Sequence, residues 1–226
     1  MDRYCKCAQY WDSVFSAFEI EGIKASTGND RLDYCLRWAI SGANTVVDFG
    51  CGNGTLLFIA AKNGTKNHIG IDISHSAISS ANAFAKRALD GANDTGKPSF
   101  CFMQGGVEKL MCVGTCFCDT FLLSNIIDNL YPDDAKRLLE EVYRVLKPNG
   151  RVFVKLNQFI DEELIDKWKI KRIGNNLLDD GLILWNNTTE EWSNLLGEFF
   201  EIEQSGEILF PEHDQVNRYF LLIKRK

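Results

Sequence analysis

The chain has 226 residues, of which 45% are hydrophobic and 12% aromatic, and this composition can build the core of one α/β domain. Its 31 acidic and 25 basic residues give a formal net charge of −6, which disfavours a surface for nucleic-acid phosphates. No apolar run approaches the ~18 residues of a membrane span, and the N-terminus lacks the apolar core of a signal peptide. We therefore expect one cytoplasmic domain over residues 1–226, without membrane association.

The first predicted element is an amphipathic helix over residues 4–20. Aromatic side chains recur there at near-helical spacing, among them Tyr10, Trp11 and Phe15. Such a helix can pack on the core or cover a ligand, and both roles stay open for Tyr10 and Trp11. A second helix is predicted over residues 31–41.

The eight cysteines give no sign of a metal centre. The nearest approach to a ligand pattern is Cys112, Cys116 and Cys118, but paired C-x-x-C knuckles do not occur and the three histidines are scattered. We therefore expect no metal site, and a disulfide framework is not expected in this compartment.

A strand, a tight turn and a helix are predicted over residues 46–61. A β-branched pair precedes three glycines at alternate positions, Gly50, Gly52 and Gly54, and an apolar run at helical spacing follows them. Glycines at such a turn allow backbone angles that are closed to other residues. They also let the main chain approach a ligand at the positive end of the helix.

The spacing of the glycines distinguishes between ligands. A dinucleotide-binding turn has the pattern G-x-G-x-x-G, but here the pattern that begins at Asp48 is D-x-G-x-G-x-G. A second short strand ends in Asp72, whose two carboxylate oxygens can accept hydrogen bonds from two adjacent hydroxyl groups. These motifs resemble motif I and the acidic strand end of class I S-adenosylmethionine-dependent methyltransferases, in which the acidic residue binds the ribose. The resemblance covers about residues 30–160.

The third predicted strand, residues 99–103, leads into a weaker cofactor motif. Members of the family commonly have Gly-Asp here, with the Asp side chain at the adenine amino group, but Gly106 stands at the Asp position. Backbone contacts from Gly106 and Val107 are then expected at the adenine, and the side-chain contact is either lost or supplied by Glu108.

The fourth predicted strand, residues 119–125, should end beside the reacting methyl group, because ligands of open α/β sheets bind at the carboxyl ends of the strands. Asp128 follows it as a candidate base, and capping of the helix predicted over 132–146 is an equal alternative. The motif L-K-P-x-G comes next and resembles a structural landmark of the family. Its proline ends the helix, and Gly150 is expected in the left-handed turn conformation before a strand over 151–156.

Residues 157–189 exceed the length of an ordinary crossover, and they predict a helix and a small β element that cap the substrate pocket. A helix over 189–199 and an antiparallel hairpin of strands at 200–204 and 218–224 complete the sheet. The connection in that hairpin carries His213, a second candidate base, at the active-site end.

The resemblance implies a doubly wound, mostly parallel seven-stranded sheet with one antiparallel strand, helices on both faces, an N-terminal helical lid region over 1–42 and the small insertion after the fifth strand. It implies methyl transfer from S-adenosylmethionine, with S-adenosylhomocysteine as product, to an O, N, S or C nucleophile of a small molecule. Alternatives are a methyltransferase that modifies RNA, a non-catalytic S-adenosylmethionine-binding protein and a nicotinamide oxidoreductase. We expect a monomer or a homodimer. The residues expected at the cofactor are Tyr10, Trp11, Asp48, Gly50, Cys51, Gly52, Asn53, Asp72, Ile73, Gly106, Val107, Glu108, Ser124 and Asn125.

Overall fold

The structure is a computed structural model that describes residues 2–17, 22, 24–89 and 97–225. The strands are β1 (Thr45–Phe49), β2 (Asn67–Asp72), β3 (Ser99–Gln104), β4 (Cys118–Ser124), β5 (Leu146–Leu156), β6 (Lys171–Gly174), β7 (Leu177–Asp179), β8 (Ile183–Trp185), β9 (Glu201–Phe210) and β10 (Gln215–Ile223). The helices are α1 (Cys5–Ser16), α2 (Asp30–Ile40), α3 (Thr55–Lys62), α4 (His75–Leu89), α5 (Pro132–Val145), α6 (Glu162–Trp168) and α7 (Thr189–Gly197). In the described ranges no helix is both long enough and apolar enough to cross a bilayer.

Seven of the strands form one sheet in the order β3-β2-β1-β4-β5-β10-β9. β1 pairs in parallel with β2 and β4, and parallel pairing continues to β3 on one side and to β5 on the other. β10 runs antiparallel to both β5 and β9 and is the reversed strand. This order confirms the predicted fold class. It also places the carboxyl ends of the parallel strands and the beginning of β10 along one edge of the sheet.

Helices cover both faces of the sheet. All five residues of β1 are buried. Alternation along the strands sends neighbours to opposite faces, so Val47 and Phe121 pack with α5 and α7, while Val46 and Leu122 pack with α2 and α3. Burial on both faces explains why these strands are nearly continuous apolar runs in the sequence.

Most predicted elements are present with boundaries shifted by a few residues. The predicted N-terminal helix corresponds to α1, but residues 18–20 of its range lie outside the described residues. The predicted strand at 200–204 is longer, because β9 pairs with β10 as far as Phe210 opposite Gln215. A 3-10 turn over Pro211–His213 then joins the two strands.

One expectation, which concerns the turn at residues 147–150 in the first part of β5, is wrong. The left-handed residue is Asn149, with φ 61°, and not Gly150. Asparagine tolerates this conformation better than most residues with side chains. Gly150 is instead required by space, because a Cβ at this position would lie 2.6 Å from Cγ of Leu146.

The long segment after β5 contains the predicted helix and small β element. α6 is followed by the three antiparallel strands β6, β7 and β8, which form a separate small sheet. α7 then begins with a capping box, in which Glu191 N donates to Thr188 Oγ1 at 3.1 Å and Thr188 N donates to Glu191 Oε2 at 2.7 Å. The N-cap residue of α7 is therefore Thr188, and the helix begins at the predicted residue, Thr189.

Candidate functional site

A cavity of about 1360 Å³ lies at the edge where the parallel strands end. Its wall includes the ends of β1 to β5 and the beginning of β10. Most of the side chains that the sequence indicated are brought together here. The predicted residues in the wall are Trp11, Asp48, Gly50, Cys51, Gly52, Asn53, Asp72, Ile73, Gly106, Val107, Glu108, Ser124, Asn125 and His213.

Two predicted site residues do not line this cavity. Tyr10 is 50% exposed, because consecutive helical residues point about 100° apart and its neighbour Trp11 faces the cavity instead. Asp128 is completely buried behind the wall, in a 3-10 turn after β4. Tyr10 and Asp128 are therefore not among the residues that border the cavity in this structure, and their roles at the cofactor and as a base stay predictions.

The turn between β1 and α3 has the backbone that its glycines allow. The φ angles are 76° at Gly50, 53° at Gly52 and 83° at Gly54, a region that residues with a Cβ rarely adopt. At Gly52 space is also lacking, since a Cβ there would lie 2.7 Å from Cζ of Phe15. The main chain at Gly52 is thus covered closely by an aromatic ring of α1.

The carboxylate of Asp72 ties this turn to the end of β2. Asp72 Oδ2 accepts a hydrogen bond from Gly52 N at 2.8 Å, and Oδ1 accepts one from Ser74 N at 2.8 Å. Burial raises the pKa of Asp72, and these two hydrogen bonds oppose the rise. Each carboxylate oxygen has a further lone pair, so the group can accept two more hydrogen bonds from a ligand in the cavity.

Asp48 is a buried carboxyl group with an unused acceptor. Its side chain is in the wall, and Oδ1 has no hydrogen-bond partner among the described residues. Burial, helped by the charge of Asp72, raises the pKa of Asp48 to about 8. A ligand that brings a positive charge or an N–H donor would stabilise the ionised form.

The third part of the wall lies after β3. Gly105 has φ 150°, and Gly106 N donates to Glu108 Oε1 at 2.9 Å. The Glu108 carboxylate therefore folds back onto its own loop, next to the position where the family commonly has Asp. Sequence reasoning missed Gln104 and Lys109, which also line the cavity here.

α1 lies across the cavity, and its C-terminal half is attached beside Asp72. Rings of Trp11 and Phe15 are in the wall, with centroids 5.9 Å apart. Asp12 Oδ1 accepts hydrogen bonds from Ser74 Oγ at 2.7 Å and from Ser76 N at 3.0 Å, in the first turn of α4. These bonds lower the pKa of Asp12, the one from Ser76 most.

The other end of α1 is attached to the beginning of α5. Tyr4 Oη donates to Asp134 Oδ2 at 2.7 Å and accepts a hydrogen bond from Tyr131 N at 3.0 Å. Arg3 forms ion pairs with Asp133 and Asp134, and its guanidinium lies 3.9 Å from the centre of the Tyr131 ring. The sequence did not indicate the contacts of Arg3 and Tyr4 with α5, because they join residues about 130 positions apart.

Three hydrogen-bonded asparagines line the cavity where β4 and β5 end and β10 begins. We call Asn125, Asn157 and Asn217 the asparagine wall. Asn125 Nδ2 donates to Asn157 Oδ1 at 2.8 Å, and Asn217 Nδ2 donates to Asn125 Oδ1 at 3.3 Å. Asn157 donates from N at 2.6 Å and from Nδ2 at 3.0 Å to Oδ2 of buried Asp128. Burial raises the pKa of Asp128 to about 6, and these bonds limit the rise. Asp128 thus holds the wall in place.

Comparison with known proteins gives the family. A model described as a methyltransferase domain matches residues 40–202. Mouse arsenite methyltransferase is 30% identical over 127 residues, which are 55% of this chain and 31% of the mouse protein. A tRNA N(3)-methylcytidine methyltransferase of Schizosaccharomyces pombe is 24% identical over 179 residues, 74% of this chain and 54% of that protein. The chain thus spans about a third and about half of these two relatives.

A solved structure shows the same fold. The 1,6-didemethyltoxoflavin-N1-methyltransferase of Burkholderia thailandensis, with bound 1,6-didemethyltoxoflavin and S-adenosylhomocysteine, superposes with a TM-score of 0.69 at 15% identity, covering 100% of this chain and 90% of that one. The strand order, the glycine turn after β1 and the match over residues 40–202 agree with one another. The chain belongs to the methyltransferase-domain family and has the seven-stranded fold of class I S-adenosylmethionine-dependent methyltransferases.

Proposed function

We propose that this chain transfers the methyl group of S-adenosylmethionine to a small molecule bound in the same cavity. The observation that carries the proposal is the junction of the glycine turn with Asp72, where main chain and carboxylate face the cavity together. When bound, S-adenosylmethionine supplies a sulfonium methyl group: the acceptor atom forms a bond to its carbon, the carbon–sulfur bond breaks with both electrons going to sulfur, and the acceptor releases a proton.

The wall fits the cofactor at three places. The free lone pairs of Asp72 suit the two ribose hydroxyls, and the unpartnered Oδ1 of Asp48 suits the ammonium of the methionine part. Gly106, Val107 and Glu108 line the same cavity, and we assign the adenine to them.

The chain's own contribution to rate is positioning and exclusion of water. In-line displacement would need donor and acceptor in near-attack geometry, which the residues of the cavity wall would provide by holding both. Trp11 and Phe15 cover the cavity from α1 and would keep solvent from the sulfonium. His213 lies in the wall on an exposed turn, and it is the candidate base that an acceptor can reach.

A small acceptor is favoured over RNA by the way the cavity is covered. α1 is attached on both sides of the opening, by Asp12 at one end and Tyr4 at the other, so a nucleic-acid strand would have to displace it. The net charge of −6 also opposes binding of phosphates. The tRNA methyltransferase among the relatives makes RNA the alternative to test.

The experiment is titration calorimetry followed by a turnover assay. We expect the purified chain to bind S-adenosylhomocysteine and not NAD, which separates a methyltransferase from a nicotinamide oxidoreductase. Release of S-adenosylhomocysteine from S-adenosylmethionine should then require a member of a small-molecule acceptor library and not bulk tRNA. Cofactor binding with no turnover on any acceptor would favour the non-catalytic alternative.

A further inference from the structure

Lys155 is a basic side chain inside the cavity that none of the cofactor contacts proposed above uses. It lies near the end of β5, where its backbone is in register with Ser124 of β4 and Tyr219 of β10. This is the side of the cavity away from the Asp72 junction. Lys155 lines the cavity, and among the described residues its Nζ has neither a hydrogen bond nor an ion pair.

The surroundings of Lys155 are unusual for a lysine that binds nothing. Nζ lies 5.3 Å from the centre of the Phe210 ring, which also lines the cavity. Burial lowers the pKa of Lys155 to about 8, although the nearby charge of Asp128 opposes this. A partly buried ammonium without a hydrogen-bonded anion is less stable than a paired one, so an anionic ligand at Nζ would be favourable.

Asn217 offers a second, complementary contact on the same wall. Its side chain is 3% exposed, Nδ2 already donates to Asn125, and Oδ1 has no partner among the described residues. Because Lys155 is opposite Tyr219, Asn217 is its diagonal neighbour on the same face of the β5–β10 pair. The Cα atoms of diagonal neighbours in such pairs lie about 7 to 8 Å apart, so the two side chains border the same part of the cavity.

The polar groups between them are already engaged. Nitrogen atoms of Asn125 and Asn157 donate within the asparagine wall and to Asp128. Among the described residues, Lys155 Nζ is therefore a cation without a hydrogen-bonded partner and Asn217 Oδ1 an acceptor without a donor, and the ring of Phe210 lies beside Lys155.

We propose that Lys155, Asn217 and Phe210 form the acceptor-recognition site, and that the methyl acceptor is a small planar organic acid. An anionic oxygen of the acceptor binds the Lys155 ammonium, an adjacent N–H or O–H donates to Asn217 Oδ1, and the ring packs on Phe210. The anionic oxygen can belong to a carboxylate or to an acidic phenol, since both present the same charge and acceptor geometry to Lys155. This inference rests on the proposed function, because it assigns the acceptor end of the same cavity.

The test measures binding of matched probes to the protein saturated with S-adenosylhomocysteine. Anthranilate combines a carboxylate with an adjacent N–H donor; anthranilamide lacks the charge and benzoate lacks the donor. We expect anthranilate to bind about tenfold or more tightly than anthranilamide, the size of one charge-assisted hydrogen bond, and about fivefold more tightly than benzoate, the size of one neutral hydrogen bond. A parallel pair, 4-nitrophenol and 4-nitroanisole, tests whether an acidic phenol can replace the carboxylate.

Variants assign the preference to residues. Lys155→Met should abolish the difference between anthranilate and anthranilamide, and Lys155→Arg should keep most of it. Asn217→Leu should abolish the difference between anthranilate and benzoate. Lys171→Met, which removes an exposed lysine of β6 outside the cavity, is the matched control and should change neither.

The outcomes separate the two proposals. Wild-type protein that fails to bind S-adenosylhomocysteine would contradict the proposed function itself. Intact S-adenosylhomocysteine binding with equal affinity for acids and neutral analogues, or with no binding of either acid, would overturn the acceptor site alone. So would an acid preference that persists in Lys155→Met. Retained affinity of that variant for S-adenosylhomocysteine, with a normal circular dichroism spectrum, shows that the substitution leaves the fold intact.

Discussion

Asp72 accepts hydrogen bonds from two main-chain N–H groups and is also the residue that we propose binds the ribose. Asp72→Ala should weaken S-adenosylhomocysteine binding by about 1.5 to 3 kcal/mol, the usual range for hydrogen bonds to a charged group. The variant also leaves Gly52 N and Ser74 N without their acceptor, so its affinity reports both losses.

Asp72→Asn removes the charge of the side chain but not its whole contact with the main chain. The amide keeps an oxygen for one main-chain N–H and loses the charge, so its affinity should lie between those of wild type and the alanine variant. Calorimetry checks both variants, and an alanine variant with unchanged affinity would refute ribose binding by Asp72.

Gly52 should tolerate no side chain, for two reasons that can be separated. Its φ of 53° disfavours any L side chain, and its Cβ position lies 2.7 Å from the Phe15 ring. We expect Gly52→Val to fold but not to bind S-adenosylhomocysteine. Removing the ring by Phe15→Ala in the same chain should restore little binding, because the backbone constraint remains. Full recovery in the double variant would show that contact with Phe15, and not the turn, sets the requirement.

Asp48 makes a prediction about pH. Its folded-state pKa of about 8 is raised far above the ordinary value of a carboxyl group, so the folded protein holds this proton more tightly than the unfolded chain does. The stabilisation is present below the unfolded pKa and is lost as pH rises to about 8, on the order of 1 kcal/mol for each pH unit. Asp48→Asn, which cannot ionise, should therefore be more stable than wild type at pH 8 and similar to it at pH 4. Urea unfolding at both pH values measures this, and a stability difference that is independent of pH would contradict it.

At the scale of elements, local sequence patterns predicted the helices, strands and turns. They did not predict contacts between residues that are far apart in the sequence. The turn at Gly52 and the strand end at Asp72 follow from spacing, because their backbone constraints are local. The bonds from Tyr4 to Asp134 and from Asn157 to Asp128 join residues 130 and 29 positions apart, and no local pattern marks such partners. A binding role for Lys155 was not predicted for a similar reason. Its neighbours on β9 and β10 are distant in the sequence, and they show that this lysine lies in the cavity.

α1 is the element whose movement can be tested. If it opens for cofactor exchange, amides of residues 8–16 should exchange faster in the free protein and become protected with S-adenosylhomocysteine. Asp12→Ala removes the acceptor of two hydrogen bonds at α4 and should increase exchange in the free protein further. Strong protection of α1 in both states would mean that it is a permanent part of the core and that Trp11 and Phe15 only pack.

At the scale of the whole molecule, the charge balance and the covered cavity favour the same class of acceptor. With a net charge of −6, the chain should bind bulk tRNA no more tightly than non-specific proteins do, with a Kd of about 10⁻⁴ M or weaker at physiological salt. Filter binding across a salt series measures this. Micromolar binding with a steep salt dependence would favour the RNA alternative and would require a basic surface that composition does not indicate.

The two anchors of α1 have a consequence for the order of events in turnover. Asp12 holds the helix beside the Asp72 end of the cavity, and Arg3 and Tyr4 hold it beside the end formed by β4 and α5. Ion pairs as exposed as those of Arg3 contribute at most about 1 kcal/mol and weaken with salt, whereas the bonds of Asp12 are made to the start of a helix. Release of the Arg3 end alone would free α1 at the start of α5 and leave Asp12 bound beside Asp72. We then expect the methylated product to depart before S-adenosylhomocysteine does. Product-inhibition kinetics should therefore show S-adenosylhomocysteine as the last product to leave.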